Sequence, residues 1–270
     1  MPTEFSLWQV LVLAVVQGIT EFLPISSDGH LVLVESLLFG SQSGAMKTLD
    51  LTIVLHLGTL GSILVFYRQR IARLLTDDRR VAWLIVLGTI PAVALVLVCK
   101  LLLDDLFEPI LKSTLLAGFM LPVSGIALLY SLQNATGSRD YRELTATQSL
   151  LIGVAQALAI LPGLSRSGTT ISTGLLLGMS RSAAATYSFL LAIPALAGAG
   201  VYEGFSMLKD GAHLSTSPGY LLCGALVSFV VGLAALSCLD RLLQRGRLHF
   251  LGWYCIALGL VVIAWQATWA

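Results

Sequence analysis

Charged residues are scarce in this chain. They make up 11% of its 270 residues, less than half of the roughly 25% that is usual in a soluble domain. Apolar residues make up 56%, and the mean hydropathy is +0.87. Apolar runs of about 17 to 23 residues recur along the whole length, and a helix of that length crosses a bilayer. These features exclude an ordinary water-soluble domain and predict an all-α polytopic membrane protein.

Cysteine pairs and an excess of one charge are also lacking. The four cysteines lie in apolar spans and form no Cys-x-x-Cys pair, which argues against a disulfide framework and against a zinc site. Lys and Arg number 16 and Asp and Glu number 15, so the formal net charge is only +1. Without a basic field, nucleic acid is not an expected partner.

Six uninterrupted apolar stretches are predicted to be full spans: Leu51–Phe66, Val81–Leu103, Thr114–Leu132, Thr186–Tyr202, Tyr220–Leu239 and Leu251–Trp269. Two others, Leu7–Phe39 and Gln148–Met179, are interrupted by Pro, Gly and Ser. Each interruption leaves two arms of about 15 residues, short of the roughly 20 that a crossing needs. Non-helical backbone at membrane depth is tolerated where protein buries it. We therefore predict a re-entrant helical hairpin at each broken stretch.

The two halves of the chain are related by an internal repeat. At an offset of 139 residues three identities coincide: Gln17 with Gln156, Ser26 with Ser165, and Gly29 with Gly168. The order of segments, a broken hairpin followed by three spans, matches as well. Because each half crosses the bilayer an odd number of times, the second half enters from the opposite side. We predict one membrane domain over 1–270, with an inverted-topology repeat of about 1–135 and about 146–270.

Arginines concentrate on one face of this arrangement, at Arg68, Arg70, Arg73, Arg79, Arg80, Arg139, Arg142, Arg181, Arg241, Arg245 and Arg247. The opposite face has Lys47, Lys112 and Lys209, with Lys100 near its edge, and the acidic residues Asp104, Asp105, Glu108, Glu203 and Asp210. By the positive-inside rule the arginine-rich face is cytoplasmic. The base of the first hairpin then lies on the outer face, and the second hairpin enters from the cytoplasm.

Polar side chains at membrane depth are the informative ones, because an ionised group at the bilayer centre costs at least about 2.5 to 3.5 kcal/mol. They cluster at the two kinks: Gln17, Glu21, Ser26, Ser27, Asp28 and His30 in the first hairpin, and Gln156, Ser165, Arg166, Ser167, Thr169 and Thr170 in the second. The hairpin tips of an inverted repeat converge near the midplane. We therefore expect Glu21 and His30 to meet Arg166 in one pocket. His56, inside a full span, could also be functional.

This set of side chains favours phosphate chemistry. Arg166 presents a planar fork of donors that matches phosphate oxygens, and the small residues of segment 162–168 let backbone N–H groups approach an anion. Ser27 is a candidate nucleophile and His30 a candidate base, while Glu21 could orient the imidazole or hold a divalent cation. Structural roles compete with these, because Glu21 and Arg166 could form a buried ion pair and the hydroxyls could cap helices.

Segments 17–30 (QGITEFLPISSDGH) and 162–170 (PGLSRSGTT) closely resemble the motifs of the undecaprenyl-diphosphate phosphatase family of the bacitracin-resistance type. The likeness extends over essentially the whole chain. The family has a Glu/Gln-x-x-x-Glu element and a Pro-Gly-x-Ser-Arg-Ser-x-x-Thr element, and the chain fits both. Gln17 takes the first position, which removes one possible carboxylate and leaves Glu21 as the main acidic metal ligand.

The resemblance implies hydrolysis of undecaprenyl diphosphate, an isoprenoid diphosphate lipid, to recycle the carrier lipid for cell-wall synthesis. It also implies bacitracin resistance, a plasma-membrane location, a site that opens outward and a divalent cation, Mg²⁺ or Ca²⁺. Arg166 is then expected to bind the substrate with Gln17, Ser26, Ser165, Ser167 and Thr170.

In the expected mechanism Ser27 attacks the terminal phosphorus and His30 acts as general base and then as acid. Glu21 holds His30 or the cation. Two variants stay open, in which His30 either activates water or takes the phosphoryl group itself. A transporter or flippase of an anionic isoprenoid lipid is the alternative function, because inverted repeats with broken helices are a common plan of transporters.

Overall fold

The computed structural model describes residues 5–39, 49–102, 109–111, 113–209 and 216–269. Within these ranges the chain has no β-strand, and the predicted all-α class is confirmed. The helices are α1 (Leu7–Thr20), α2 (Ser27–Phe39), α3 (Leu49–Phe66), α4 (Arg68–Leu74), α5 (Arg79–Leu102), α6 (Thr114–Asn134), α7 (Ala146–Leu158), α8 (Arg166–Leu176), α9 (Arg181–Lys209), α10 (Pro218–Gln244) and α11 (His249–Trp269), with a 3₁₀ turn at Tyr141–Glu143.

The long apolar helices correspond to the predicted spans. Five of them, α5, α6, α9, α10 and α11, are long and apolar enough to cross a membrane. Helix α3 forms a sixth candidate together with α4, which bends away from it by 78°. The polytopic character predicted from composition is therefore confirmed. Helices α5 and α9 begin earlier than the apolar runs suggested, at Arg79 and Arg181, because backbone hydrogen bonding continues beyond the apolar segment.

The two interrupted stretches form pairs of short helices. Helices α1 and α2 have 14 and 13 residues, and α7 and α8 have 13 and 11. At 1.5 Å per residue each is about 16 to 21 Å long, shorter than a hydrocarbon core of about 30 Å. Both breaks contain left-handed backbone, at Ser26 (φ 69°) and Gly163 (φ 88°). No single arm of either pair is long enough to cross the bilayer.

The same kind of cap restarts the helix after each break. Ser26 Oγ accepts a hydrogen bond from Gly29 N (3.3 Å), and Ser165 Oγ accepts one from Gly168 N (3.1 Å). A serine that accepts from a backbone N–H three residues later satisfies a donor that the first turn of a helix leaves unpaired. The serine and glycine identities of the repeat thus coincide with the points where α2 and α8 begin.

Each short entry helix packs closely against a long helix from the other half of the chain. Helix α1 packs on α10, where a Cβ added to Gly18 would lie 2.8 Å from Val231 Cβ. Helix α7 packs on α5, where a Cβ added to Gly153 would lie 2.1 Å from the carbonyl oxygen of Gly88. Small residues allow such backbone approach. Helix α6 of the first half likewise packs on α11 of the second.

Two arginines of the predicted arginine-rich face bond to backbone carbonyl oxygens of other segments. Arg80 donates to the carbonyl oxygens of Arg142 (2.7 Å) and Leu144 (2.6 Å), and Arg139 donates to the carbonyl oxygen of Leu177. These bonds join the start of α5, the 3₁₀ turn and the end of α8, and the arginine-rich face as a whole stays a prediction. Several residues predicted for the opposite face lie outside the described residues: Lys47, Asp104, Asp105, Glu108, Lys112 and Asp210.

Candidate functional site

The tips of the two broken stretches contact each other. A Cβ added to Gly29 would lie 3.1 Å from Gly163 Cα, and Ser167 Oγ donates to the carbonyl oxygen of Leu23 at 3.2 Å. The backbone of Gly163 also passes so close to α6 that an added Cβ would lie 2.4 Å from the carbonyl oxygen of Ala117. Glycine is therefore required at this turn both for its positive φ and for the lack of space. The tips of the two interrupted stretches therefore meet, as the sequence analysis predicts.

Glu21 lies at the centre of this contact, directly after the last residue of α1. Its side chain is only 4% exposed. Oε1 is paired with the guanidinium of Arg166. Oε2 accepts hydrogen bonds from Ser27 Oγ (2.8 Å) and from Gln17 Nε2 (3.1 Å), which lies one helical turn before it. The carboxylate thus joins the nucleophile candidate of one hairpin to the cation of the other.

Arg166 is the first residue of α8, and its side chain is 17% exposed. Nη2 contacts Glu21, whereas Nη1 is buried and has no hydrogen-bond partner among the described residues. Leaving a buried charged donor unpaired is costly. Arg166 is itself in the first turn of α8, and the N–H groups of such a turn favour an anion. The guanidinium therefore has a free donor where an anionic ligand would be stabilised.

His30 does not lie where the sequence analysis expected it. Nδ1 is 2.7 Å from the carbonyl oxygen of Ser26, and Nε2 is 2.8 Å from the hydroxyl of Tyr254 on α11. The two rings are stacked, with centroids 5.7 Å apart. With both ring nitrogens taken, Glu21 does not orient this imidazole. The reason is that His30 falls almost one turn into α2 and faces α11, while Ser27 at the start of the helix faces Glu21. A catalytic role for His30 stays a prediction.

The remaining predicted binding residues are buried and bonded to the protein itself. Ser26 and Ser165 cap α2 and α8, and Ser167 bonds the other hairpin. Thr170 Oγ1 lies 2.8 Å from the carbonyl oxygen of Arg166 and 2.6 Å from Ser188 Oγ. These hydroxyls build the kinks that present Arg166 and Ser27, and direct contact with a substrate stays a prediction for them.

Sequence reasoning underestimated three residues. His56 on α3 points Nε2 at Glu21 Oε2 from 3.8 Å. Tyr254 binds His30, and Ser124 on α6 donates to the carbonyl oxygen of Gly163 (3.0 Å) while it accepts from Ser165 N (2.8 Å). An ionisable residue inside a span is a usable signal for His56. A tyrosine or a serine in a long apolar helix gives no comparable signal.

The divalent cation that the family resemblance implies would need several oxygen or nitrogen ligands at this site. Within the part of the chain that the structure describes, no group of three or more His, Cys, Asp or Glu side chains could hold a metal ion. Both oxygens of Glu21 already accept from nitrogen or hydroxyl donors. The described side chains therefore do not fit a dedicated cation site.

Fold and site together define a polytopic helical membrane protein with a buried carboxylate that joins a serine hydroxyl to an arginine. The family model described as Bacitracin resistance protein BacA matches residues 10–261, and the chain belongs to this family. The family predicted by the two sequence motifs is thereby confirmed.

Curated relatives are similar over nearly their whole length. A protein of Rhodopirellula baltica is 48% identical over 255 residues, which cover 94% of this chain and 96% of the relative. A protein of Methanosphaera stadtmanae is 37% identical, with coverage of 94% and 95%. A protein of Mycobacterium ulcerans is 38% identical, with coverage of 97% and 98%. All three are named undecaprenyl-diphosphatase.

Proposed function

We propose that this chain hydrolyses undecaprenyl diphosphate to undecaprenyl phosphate and inorganic phosphate. One observation carries the proposal: Ser27 donates to Glu21, and Glu21 is paired with Arg166, whose Nη1 is buried and has no partner in the part of the chain that the structure describes. Transfer of a phosphoryl group to a side chain requires a hydroxyl, an acceptor for its proton and a cation for the phosphate oxygens. The names of the relatives support the same substrate.

The mechanism follows from these contacts in two steps. Ser27 Oγ attacks the terminal phosphorus while its proton passes to Glu21 Oε2, the bond between that phosphorus and the bridging oxygen breaks, and undecaprenyl phosphate leaves. Water then attacks the phosphorus of the phosphoserine, and the bond between phosphorus and Ser27 Oγ breaks. The proton held by Glu21 returns to Ser27 Oγ, and inorganic phosphate leaves with both hydrogens of the water. Nη1 of Arg166 and the first turn of α8 stabilise the charge on the phosphate oxygens in both steps. In this mechanism Glu21, rather than His30, is the base that serves Ser27.

His30 keeps two alternative roles, activation of water and acceptance of the phosphoryl group. Both use Nε2, which Tyr254 contacts at 2.8 Å. The geometry favours Ser27, because its hydroxyl already donates to a buried carboxylate at 2.8 Å. Transport of an anionic lipid, the competing function, is less favoured because moving a lipid requires no hydroxyl beside a carboxylate.

The experiment is phosphate release from undecaprenyl diphosphate by the purified protein in detergent, where no transmembrane gradient exists. Ser27→Ala should lower the rate by about 10³-fold or more, and acid quenching should trap phosphate on Ser27 in the wild type. His30→Gln should retain this phosphoserine. Phosphate trapped on His30 would reassign the nucleophile, and trapping on neither residue would favour direct attack by water. No release by the wild type would contradict the proposed function.

The divalent cation stays a prediction. If one binds at Glu21, it would have to replace Ser27, Gln17 or Arg166 as partner of the carboxylate. When bound, such an ion would neutralise charge on the diphosphate. No step of the mechanism passes through it.

We also propose that the domain over 1–270 consists of inverted repeats of about 1–135 and about 146–270, each with a re-entrant hairpin. The matched caps at Ser26 and Ser165 support this, as does the packing of α1 on α10 and of α7 on α5. The arginine-rich end is then cytoplasmic and the first hairpin opens outward. A plasma-membrane site facing outward would recycle the carrier lipid during cell-wall synthesis and confer bacitracin resistance.

Labelling of single cysteines in a cysteine-free background tests this orientation. Ser138 lies beside Arg139 of the predicted arginine-rich face, Gly219 is the second residue of α10, and both are exposed. An impermeant maleimide should label Gly219→Cys in intact cells and Ser138→Cys only after permeabilisation. The reverse pattern would contradict the outward-facing site.

A further inference from the structure

His56 is an ionisable residue on α3, a helix whose other residues are mostly apolar. Its side chain is 23% exposed, so most of it is removed from solvent. Placing an ionisable side chain at membrane depth carries a free-energy cost, and such residues usually serve a function and face a partner. The partner here is Glu21, the carboxylate at the centre of the proposed active site.

The ring of His56 is held in a defined orientation. Nδ1 lies 2.8 Å from the carbonyl oxygen of Thr52, one turn earlier in α3. A carbonyl oxygen only accepts, so Nδ1 carries a hydrogen and Nε2 is the nitrogen that faces the site. Nε2 lies 3.8 Å from Glu21 Oε2, the same oxygen that accepts from Ser27 and Gln17.

Helix α3 is held against α10 by close contacts on both sides of His56. Ser228 Oγ on α10 donates to the carbonyl oxygen of Leu55 at 3.1 Å. Two residues beyond His56, a Cβ added to Gly58 would lie 2.4 Å from the carbonyl oxygen of Ala225. Such close helix packing leaves little freedom to slide. The position of His56 relative to Glu21 is therefore set by the packing of α3 on α10.

The charges around the site favour a cation at this position. Glu21 and Asp28 are two carboxylates, and both interact electrostatically with His56 and with Arg166. With both carboxylates ionised, one guanidinium alone leaves two negative charges and one positive charge where the diphosphate is proposed to bind. His56 approaches Glu21 from α3 while Arg166 approaches from α8, so a proton on the imidazole would place a second positive charge beside Glu21.

We propose that His56 is a positioning residue, which holds Glu21 Oε2 against Ser27 from the α3 side while Arg166 holds Oε1. This inference rests on the proposed function, because it assigns a role in the activation of Ser27. Loss of His56 would let the carboxylate rotate toward Arg166 and away from Ser27. A displacement of about 1 Å at a reacting group can cost about 100-fold in rate.

The test compares three substitutions of His56 by the rate of phosphate release from undecaprenyl diphosphate. His56→Leu should lower kcat by about 10- to 100-fold and leave KM within about threefold, because the lipid and phosphate contacts persist. His56→Gln places an N–H near the position of Nε2 and should recover kcat to within about fivefold of the wild type. His56→Asn places its amide near Nδ1, too far from Glu21, and should remain as slow as the leucine variant.

Thr59→Val is the matched control on the same helix. Thr59 is buried and donates to the carbonyl oxygen of His56 (2.9 Å), so the change perturbs α3 locally without reaching Glu21. Its kcat should equal that of the wild type. Equal kcat for the glutamine and asparagine variants, or an unchanged kcat for the leucine variant, would overturn the inference. Absence of activity in the wild type would instead contradict the proposed function.

Discussion

The pair of Glu21 and Arg166 allows stability and chemistry to be separated by mutation. Glu21→Gln and Arg166→Gln each remove one charge and keep a side chain that can form hydrogen bonds. Because the partner side chains are only 4% and 17% exposed, each single substitution leaves an uncompensated charge in a nearly dry site. The double substitution removes both charges, and no buried charge of this pair is left without a partner.

The size of the effect follows from the burial of the pair. Removing one partner of a buried ion pair costs about 3 to 5 kcal/mol, whereas replacing both partners is often close to neutral. The partial exposure of Arg166 places the expected loss near the lower limit, at about 3 kcal/mol for either single variant. At roughly 2 to 4 °C per kcal/mol for a chain of this size, the melting temperature should fall by about 6 to 12 °C.

The assay pairs thermal unfolding in detergent with phosphate release by the same samples. Both single variants should melt lower than the wild type, and the double variant should recover most of the difference while remaining inactive. Arg166→Lys should stay close to the wild type in stability but lose most activity, because one ammonium cannot bind Glu21 and also offer the separate donor that Nη1 provides. Additive losses of stability in the double variant would refute the reasoning.

The other predictions concern the two glutamines of the repeat. Gln17→Glu replaces a donor that lies 3.1 Å from Glu21 by a second carboxylate. Because the two like charges repel each other, phosphate release should depend more on added Mg²⁺ than it does in the wild type. Equal dependence of the release rate on Mg²⁺ in the two proteins, after chelation of bound metal, would contradict this. Gln156→Leu removes a buried amide group, and neither its oxygen nor its nitrogen has a hydrogen-bond partner among the described residues. The melting temperature should therefore rise, by about 2 to 4 °C for each kcal/mol of stability gained, and activity should not change. A lower melting temperature would show that the amide is hydrogen-bonded in the native protein.

Hydropathy and chain breaks were sufficient to predict the main features of the fold. The long helices follow from apolar runs, and the paired short helices follow from the Pro, Gly and Ser residues that interrupt the other two stretches. The contact between Glu21 and Arg166 could also be predicted from the sequence. Two kinks that carry opposite charges at membrane depth have few other groups that could neutralise those charges. A sequence shows directly where charged residues lie along the chain and which of them fall inside apolar segments.

The choice between two histidines could not be predicted in the same way. His30 is close to Ser27 in sequence, yet it turns toward Tyr254, while His56 is 35 residues from Glu21 and approaches it. Which imidazole reaches the carboxylate depends on the rotation of α2 and on the packing of α3 against α10. These are set by contacts between helices, and sequence spacing within a single hairpin contains no information about them.

The proposed repeat explains why two different side chains converge on one carboxylate. At the offset of 139 residues, Ser27 corresponds to Arg166, and each is the first helical residue after a capping serine. Both therefore stand at the start of a short helix whose N–H groups favour negative charge. Glu21 corresponds to Ile160, so only one half supplies the carboxylate. In the proposed repeat these two positions are equivalent, and the proposed mechanism gives their unlike side chains different roles, a nucleophile at Ser27 and an anion clamp at Arg166.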